Sequence, residues 1–136
     1  MKAVSMYVNG HTLHTNPGYA GGGVVLVYEG LIRDEMVAIG KATHHQAELK
    51  AVMFGLSLLK QPCVVTVFSC NQWLVNCGSG KWSRNTHADV WELYDKAVAG
   101  HKVLFEWIKK GSHELLDRAC ASANEAANVS ELNAIE

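Results

Sequence analysis

The chain has 136 residues, of which 49% are hydrophobic and 18% are charged, and its net charge at neutral pH is −1. This length suits one domain with its own core, and the composition excludes a disordered chain. A nearly neutral chain has no general attraction to nucleic acid, so a surface that binds nucleic acid must be local.

No apolar stretch reaches the length of a membrane span, and the first residues lack the apolar core of a signal peptide. We therefore expect a cytoplasmic protein that does not enter a membrane. In a reducing compartment each cysteine is expected to be a free thiol. The four cysteines, which have no zinc-finger spacing, are Cys63, Cys70, Cys77 and Cys120.

The first third of the chain predicts an antiparallel meander. Apolar and β-branched residues indicate strands over residues 4–8, 24–28 and 31–39. A turn signal at Asn16-Pro17-Gly18 and three glycines at 21–23 separate the first two strands, and Glu29-Gly30 forms a tight turn between the last two.

The rest of the chain predicts helices that alternate with strands. Apolar residues at helical spacing predict a helix over residues 44–60, which Pro62 stops and which holds Glu48 in its first turn. Further elements are strands over 64–68 and 103–108, a strand end that passes into a short helix over 69–75, a helix over 88–99 capped by Asn85 or Thr86, and a last helix over 113–128.

The element order βββαβαβα predicts an α/β fold with a five-stranded mixed sheet and helices on both faces. We expect one domain over residues 1–136, with residues 129–136 as a loose C-terminal tail. Asn9 and Cys70 each follow a strand, and strand ends in such sheets converge on a crevice, where the helix can present Glu48.

Six short motifs occur in order along the chain, and each is weak by itself. They are Tyr7-Val8-Asn9-Gly10, Asn16-Pro17-Gly18, Gln46-Ala47-Glu48-Leu49, Phe68-Ser69-Cys70-Asn71-Gln72-Trp73-Leu74, Trp107-Ile108-Lys109-Lys110-Gly111 and Arg118-Ala119-Cys120-Ala121-Ser122-Ala123. Together they resemble type 1 ribonuclease H over nearly the whole chain. The resemblance implies a three-layer ribonuclease H-like fold. It also implies an endonuclease that hydrolyses the RNA strand of RNA–DNA hybrids with two Mg²⁺ or Mn²⁺ ions held by four carboxylates.

Three of those four carboxylates are replaced. By the resemblance, the catalytic and metal-binding positions are Asn9, Glu48, Cys70 and Cys120, and only Glu48 is acidic. Asparagine offers one neutral oxygen and cysteine is a soft ligand, so both suit Mg²⁺ poorly. We expect Mg²⁺-dependent cleavage to be lost or strongly impaired, through laboratory replacement or through selection for another use. If the last helix is shifted by one turn relative to the family motif, Asp117 comes to the site, and this alternative stays open.

The substrate-handling positions depart less from the family pattern. Asn16 and Thr43 match positions that hold a DNA phosphate, and Gln72 matches a group that contacts RNA 2′-hydroxyls. By the resemblance, Trp82 packs against a DNA sugar or base, and partial packing in the core is an equally good interpretation. The two histidines at 44 and 45 either contact the substrate or are solvated residues at the start of the helix, and both interpretations stay open. The full set of expected substrate contacts is Asn16, Thr43, His44, His45, Asn71, Gln72 and Trp82.

His113 has two interpretations. It follows Lys110-Gly111-Ser112, close to where the family often has a histidine that acts in proton transfer or product release. It equally suits the first residue of the last helix, with no such role.

Three functions stay open at this point. The first is a hybrid ribonuclease with an impaired metal site, and the second is a non-catalytic module that binds RNA–DNA hybrids or RNA. The third is a soft-metal or redox site, with Zn²⁺ at Cys70, Cys120 and Glu48. Only Lys81 and Arg84 supply cations near Trp82, so we expect weak, salt-sensitive binding to a hybrid. No sequence feature indicates an obligate protein partner, so a monomer is expected.

Overall fold

The computed structural model describes residues 1–135, which form one five-stranded sheet and four helices. The elements are β1 (Lys2–Thr12), β2 (Gly18–Tyr28), β3 (Leu31–Ala42), α1 (His44–Ser57), β4 (Cys63–Ser69), α2 (Gln72–Gly78), α3 (Ala88–Val98), β5 (Lys102–Trp107) and α4 (Glu114–Asn133). Within this part of the chain, no helix is both long and apolar enough to cross a membrane.

The strands lie in the order β3-β2-β1-β4-β5. Strands β1, β2 and β3 pair antiparallel, while β4 pairs parallel with β1 and β5 pairs parallel with β4. The predicted five-stranded mixed sheet is therefore confirmed. The parallel pairing places the carboxyl ends of β1, β4 and β5 at the same edge of the sheet.

Two helices pack against opposite faces of the glycine-rich strand β2. A Cβ atom on Gly23 would overlap the carbonyl oxygen of Ala119 in α4, and one on Gly22 would press against the side chain of Ala51 in α1. Successive residues of a strand point to opposite faces, so consecutive glycines let both helices approach the strand backbone closely. The glycine run is therefore the reason why the sheet is covered on both sides.

The core is divided by the sheet into two parts. The larger part lies on the α1 side, where fully buried side chains include Met6, Leu49, Leu56 and Val65. A smaller cluster lies under α4 and consists of Tyr7, Val25, Leu116 and Ala119. Cys70 and Cys120 pack against this smaller cluster.

Two predictions about helix starts were wrong. Helix α1 begins at His44, so Glu48 lies in the second turn, and the first turn contains no acidic residue. The helix-dipole argument for Glu48 therefore does not apply. Helix α3 is capped by neither Asn85 nor Thr86. Its N-cap is His87, in the left-handed region at φ 58°, with no side-chain capping bond.

The predicted change from strand to short helix over residues 69–75 agrees with the structure. Helix α2 begins at Gln72, where Asn71 caps it by accepting a hydrogen bond from the backbone of Leu74. Helix α4 differs from its prediction, because it continues to Asn133, so residues 129–133 are helical and do not form a loose tail. Within that stretch, the buried Ser130 hydroxyl accepts a hydrogen bond from the backbone of Gly40 at 2.9 Å. Residue 136 lies outside the described residues.

We predict that Gly23→Ala destabilises the fold by about 3 kcal/mol, because α4 must shift to admit one methyl group beside its backbone. The matched control is Gly30→Ala in the β2–β3 turn, where nothing lies within 4 Å of an added Cβ. The control should lose only about 1 kcal/mol of stability, which is the cost of placing an alanine in the left-handed conformation. Urea unfolding of the two variants measures the difference, and equal losses would show that α4 does not need this close approach.

Candidate functional site

The carboxylate of Glu48 is fully buried where three elements meet. Its Oε2 accepts a hydrogen bond from the backbone nitrogen of Gly10 in β1 at 2.6 Å. Its Oε1 accepts a hydrogen bond from the hydroxyl of Ser69, the last residue of β4, at 2.7 Å. Ser69 Oγ in turn accepts a hydrogen bond from the backbone of Asn71 at 2.9 Å. Both carboxylate oxygens are thus used within the fold.

The other three positions expected to bind metal ions lie near this carboxylate. Asn9 precedes Gly10 in β1, and Cys70 directly follows Ser69. Cys120 lies in α4 and packs on the same small cluster as Cys70. The region at the ends of β1 and β4 that holds Asn9, Glu48, Cys70 and Cys120 is called the crevice below.

The site carries little negative charge at neutral pH. Burial raises the pKa of Glu48 to about 7, against the opposing effect of its two hydrogen bonds. Burial, followed by the electrostatic effects of Cys70 and Glu48, raises the pKa of Cys120 to about 11. Burial and the Glu48 carboxylate raise the pKa of Cys70. The two thiols are therefore protonated and neutral, and Asn9 carries no charge.

This arrangement does not fit a pair of Mg²⁺ ions. Within residues 1–135, no group of three histidine, cysteine, aspartate or glutamate side chains is placed to hold a metal ion. Mg²⁺ requires hard oxygen ligands, and the four positions supply one carboxylate, one amide and two thiols. The predicted zinc ligands Cys70, Cys120 and Glu48 are likewise not placed as a metal-binding group in this part of the chain.

Two further predictions concern the state of the cysteines and the position of Asp117. All four cysteines are free thiols, as the composition predicted. Asp117 is exposed near the start of α4, and its charge contributes to the raised pKa of Cys120. It does not complete a metal-binding group with the crevice residues. Asp117 therefore places a negative charge near Cys120 but does not supply a metal ligand.

The start of α1 holds the two residues predicted to contact a phosphate. Thr43 is the N-cap, and its Oγ1 accepts from the backbone of Gln46, whose own side chain accepts from the backbone of Thr43. Asn16 Oδ1 accepts from the backbone of His44 at 2.9 Å. These bonds hold Thr43 and Asn16 side by side. They leave the Thr43 hydroxyl proton and the Asn16 amide protons free to donate outward.

A second group of predicted contacts surrounds the start of α2. The His45 ring stacks on Trp73, with centroids 4.4 Å apart, and its Nδ1 accepts from the side-chain amide of Asn71 at 3.2 Å. Asn71 is buried and caps α2, so its main role is structural. Gln72 is exposed beside it. Trp82 is 49% exposed, so its side chain is not part of the core.

His113 is the N-cap of α4. Its Nδ1 accepts a hydrogen bond from the backbone of Leu115 at 3.1 Å, and its ring stacks on Tyr7, which stacks in turn on Phe68. The structure thus shows His113 starting the last helix, which was one of the two interpretations. Its Nε2 lies 3.4 Å from the Tyr7 hydroxyl, on the side of the sheet that also holds Cys70 and Cys120.

Sequence reasoning missed two residues of this site. Ser69 supplies one of the two hydrogen bonds to Glu48. Its signal was the buried alternation of Cys63, Val65 and Val67 in β4, which continues to position 69 with a polar side chain. Lys110 was noted only as part of a motif. Burial is the largest influence on the pKa values of His44, Cys70 and Cys120, and the charge of Lys110 is a smaller influence on all three.

Comparisons with known proteins agree with the fold and with the family resemblance. The family model described as RNase H matches residues 1–130. The ribonuclease H of Campylobacter concisus is 30% identical, over 99% of this chain and 100% of that protein. The N-terminal RNase H domain of rv2228c from Mycobacterium tuberculosis has a TM-score of 0.80 at 26% identity, covering 98% of this chain and 99% of that one. LC11-RNase H1, solved in complex with an RNA/DNA hybrid, has a TM-score of 0.74 at 24% identity, covering 94% and 99%.

The raised pKa of Glu48 predicts that stability falls as pH rises through neutrality. Folding takes up a proton between the ordinary pKa of 4.5 and the folded value of about 7. The contribution of this proton to the free energy of unfolding is therefore complete below about pH 4.5 and is lost above about pH 7. The free energy of unfolding falls by about 3 kcal/mol across this range. Glu48→Gln mimics the protonated acid, so we expect this variant to lack that pH dependence and to exceed the wild type in stability at pH 8.

Urea unfolding of both proteins between pH 5 and pH 8 measures the effect, with the exposed Glu125→Gln as the matched control. The control should follow the wild type at each pH. Parallel pH profiles for the wild type and Glu48→Gln would show that Glu48 is ionised throughout this range.

Proposed function

Because the chain belongs to the ribonuclease H family, we propose that it binds RNA–DNA hybrids and that its Mg²⁺-dependent cleavage of the RNA strand is lost or strongly impaired. The proposal rests on the burial and the hydrogen bonds of Glu48. It is the one carboxylate of the crevice, it is fully buried, and both of its oxygens accept hydrogen bonds from the fold.

Two-metal hydrolysis needs concentrated negative charge. Two nearby dications stabilise the attacking and the leaving oxygen, and carboxylates must offset the mutual repulsion of those ions. Here Asn9, Cys70 and Cys120 contribute no charge near neutral pH, and Glu48 is partly protonated. The family uses divalent metal ions, but these four side chains supply too little negative charge to hold a pair of them.

The surface around the crevice supports the binding part of the proposal. Asn16 and Thr43 offer hydrogen-bond donors suited to a phosphate at the start of α1. Gln72 and Trp82 are exposed in and after α2, where an amide can bond a 2′-hydroxyl and an indole can pack on a sugar or a base. The solved complex of LC11-RNase H1 with an RNA/DNA hybrid supports this class of ligand for the fold.

We predict that the triple carboxylate variant, Asn9→Asp with Cys70→Asp and Cys120→Asp, cleaves the RNA strand of a hybrid in Mg²⁺. The wild type should be slower by at least about a hundredfold, since metal ions contribute several kcal/mol to the transition state. Each single substitution should recover little activity, because the four groups act as a unit. A labelled hybrid assayed with Mg²⁺ and with Mn²⁺ measures the rates.

Two controls make the assay decisive. Glu48→Gln in the wild-type background reports any contaminating nuclease, and the same substitution in the triple carboxylate variant should abolish the recovered activity. Wild-type cleavage as fast as that of the triple carboxylate variant would contradict the impaired site. A folded triple variant that neither binds nor cleaves the hybrid would contradict the choice of ligand.

A further inference from the structure

The indole ring of Trp107 is held at the edge of the sheet that borders the crevice. Trp107 is the last residue of β5 and lies opposite Ser69 in the parallel pairing of β4 with β5. Its indole nitrogen donates to the carbonyl oxygen of Cys70 at 3.2 Å. The backbone nitrogen of the next residue, Ile108, donates to the carbonyl oxygen of Ser69 at 2.9 Å. These bonds orient the ring, although 46% of the residue stays exposed.

Helix α2 forms the opposite wall of a cleft beside this ring. The helix packs directly on β5, because a Cβ atom on Gly78 would lie only 2.6 Å from the ring of Phe105. The cleft between the helix and the strand has a volume of about 440 Å³, and both Gln72 and Trp107 line it. The close packing of α2 on β5 therefore fixes the distance between the two walls before any ligand binds.

The polar groups of this cleft suit an uncharged part of a nucleotide. Gln72 begins α2 and is exposed, so its side-chain amide is accessible to a ligand. The side-chain amide of Asn76 donates to the carbonyl oxygen of Gln72 at 2.8 Å, which holds the first turn of the helix. Lys81 and Glu106 line the cleft with one positive and one negative charge, so the cleft has no net charge. An aromatic face beside an amide suits a sugar better than it suits a phosphate.

We propose that Trp107 and Gln72 together hold one ribonucleotide of the RNA strand, with the indole face against the ribose and the Gln72 amide bonded to the 2′-hydroxyl. The inference rests on the proposed function, because it takes the RNA–DNA hybrid as the ligand. An oriented indole loses little freedom on binding, and apolar contact with a nucleotide needs no counter-charge. The 2′-hydroxyl, which DNA lacks, gives the amide a group to recognise.

Leu104 shows what an ordinary exposed apolar residue of this strand looks like. It is also 46% exposed, but successive residues of a strand point to opposite faces, so Leu104 and Trp107 lie on different faces of the sheet. The lining of the cleft does not include Leu104. Single exposed apolar residues are common on proteins and need no function. The cleft and the neighbouring amide distinguish Trp107 from that case.

The experiment measures binding of a fluorescent RNA–DNA hybrid, and of the DNA duplex of the same sequence, by anisotropy in EDTA and in Mg²⁺. Trp107→Ala should weaken binding to the hybrid by about tenfold, as the loss of one aromatic contact with a nucleotide predicts. The slope of log affinity against log salt concentration should not change, because no phosphate contact is lost. Trp107→Phe, which keeps a ring but not the bond to Cys70, should retain most of the affinity.

Gln72→Ala should weaken binding to the hybrid by about fivefold and should leave binding to the DNA duplex unchanged, because only RNA has the 2′-hydroxyl. The loss in the double variant Trp107→Ala with Gln72→Ala should be smaller than the product of the two single losses, since both side chains hold the same nucleotide. Leu104→Ala is the matched control and should bind both ligands like the wild type.

Four outcomes would overturn the inference and leave the proposed function in place. They are wild-type affinity in Trp107→Ala, equal losses in Trp107→Ala and Leu104→Ala, a loss in Trp107→Phe as large as in Trp107→Ala, and a double variant whose loss equals the product of the single losses. The third outcome would show that the bond to Cys70 matters and the ring face does not. Absence of wild-type binding to the hybrid under both conditions would overturn the proposed function as well.

Discussion

The buried carboxylate of Glu48 holds together the part of the fold on which the site depends. Its two oxygens join α1 to the end of β1 through Gly10 and to the end of β4 through Ser69. Burying an acid costs several kcal/mol unless it is hydrogen-bonded or protonated, and this one is bonded at both oxygens and has a pKa near neutrality. The close approach also requires glycine at position 10, because a Cβ there would overlap the backbone of Glu48. The geometry of the crevice therefore follows from one helix passing directly over one strand end.

The same interaction bears on the charge that the crevice carries. A single protonatable acid next to an amide and two neutral thiols needs no counter-ion to remain buried. Ionised carboxylates at positions 9, 70 and 120 would raise the pKa of each other and of Glu48, and would destabilise the fold without bound cations. Because this chain has an amide and two thiols at those positions, it does not carry that repulsion.

The sequence predicted the fold well, because the signals for it are local. The continuous apolar run in β4, the helical spacing in α1 and the glycine run in β2 each indicate one element. The predicted start of α1 at His44 is also correct, and only the turn assigned to Glu48 was wrong. What the sequence did not predict depends on tertiary contacts. Helix α4 continues past its predicted end, where Ser130 bonds the backbone of Gly40 in β3. The role of Ser69 follows from strand and helix ends that meet only in the folded chain.

The starts of helices α1 and α2 are held by their own hydrogen bonds. The side chains of Thr43, Asn16 and Asn71 each accept from a helix backbone, and none of these bonds involves Asn9, Cys70 or Cys120. One network does join the start of α2 to Glu48, because the Ser69 hydroxyl donates to Glu48 and accepts from the backbone of Asn71. Substitutions at positions 9, 70 and 120 therefore leave the bonds of both helix starts in place, whereas the loss of the Ser69 hydroxyl would remove a bond from Glu48 and a bond from the start of α2 together.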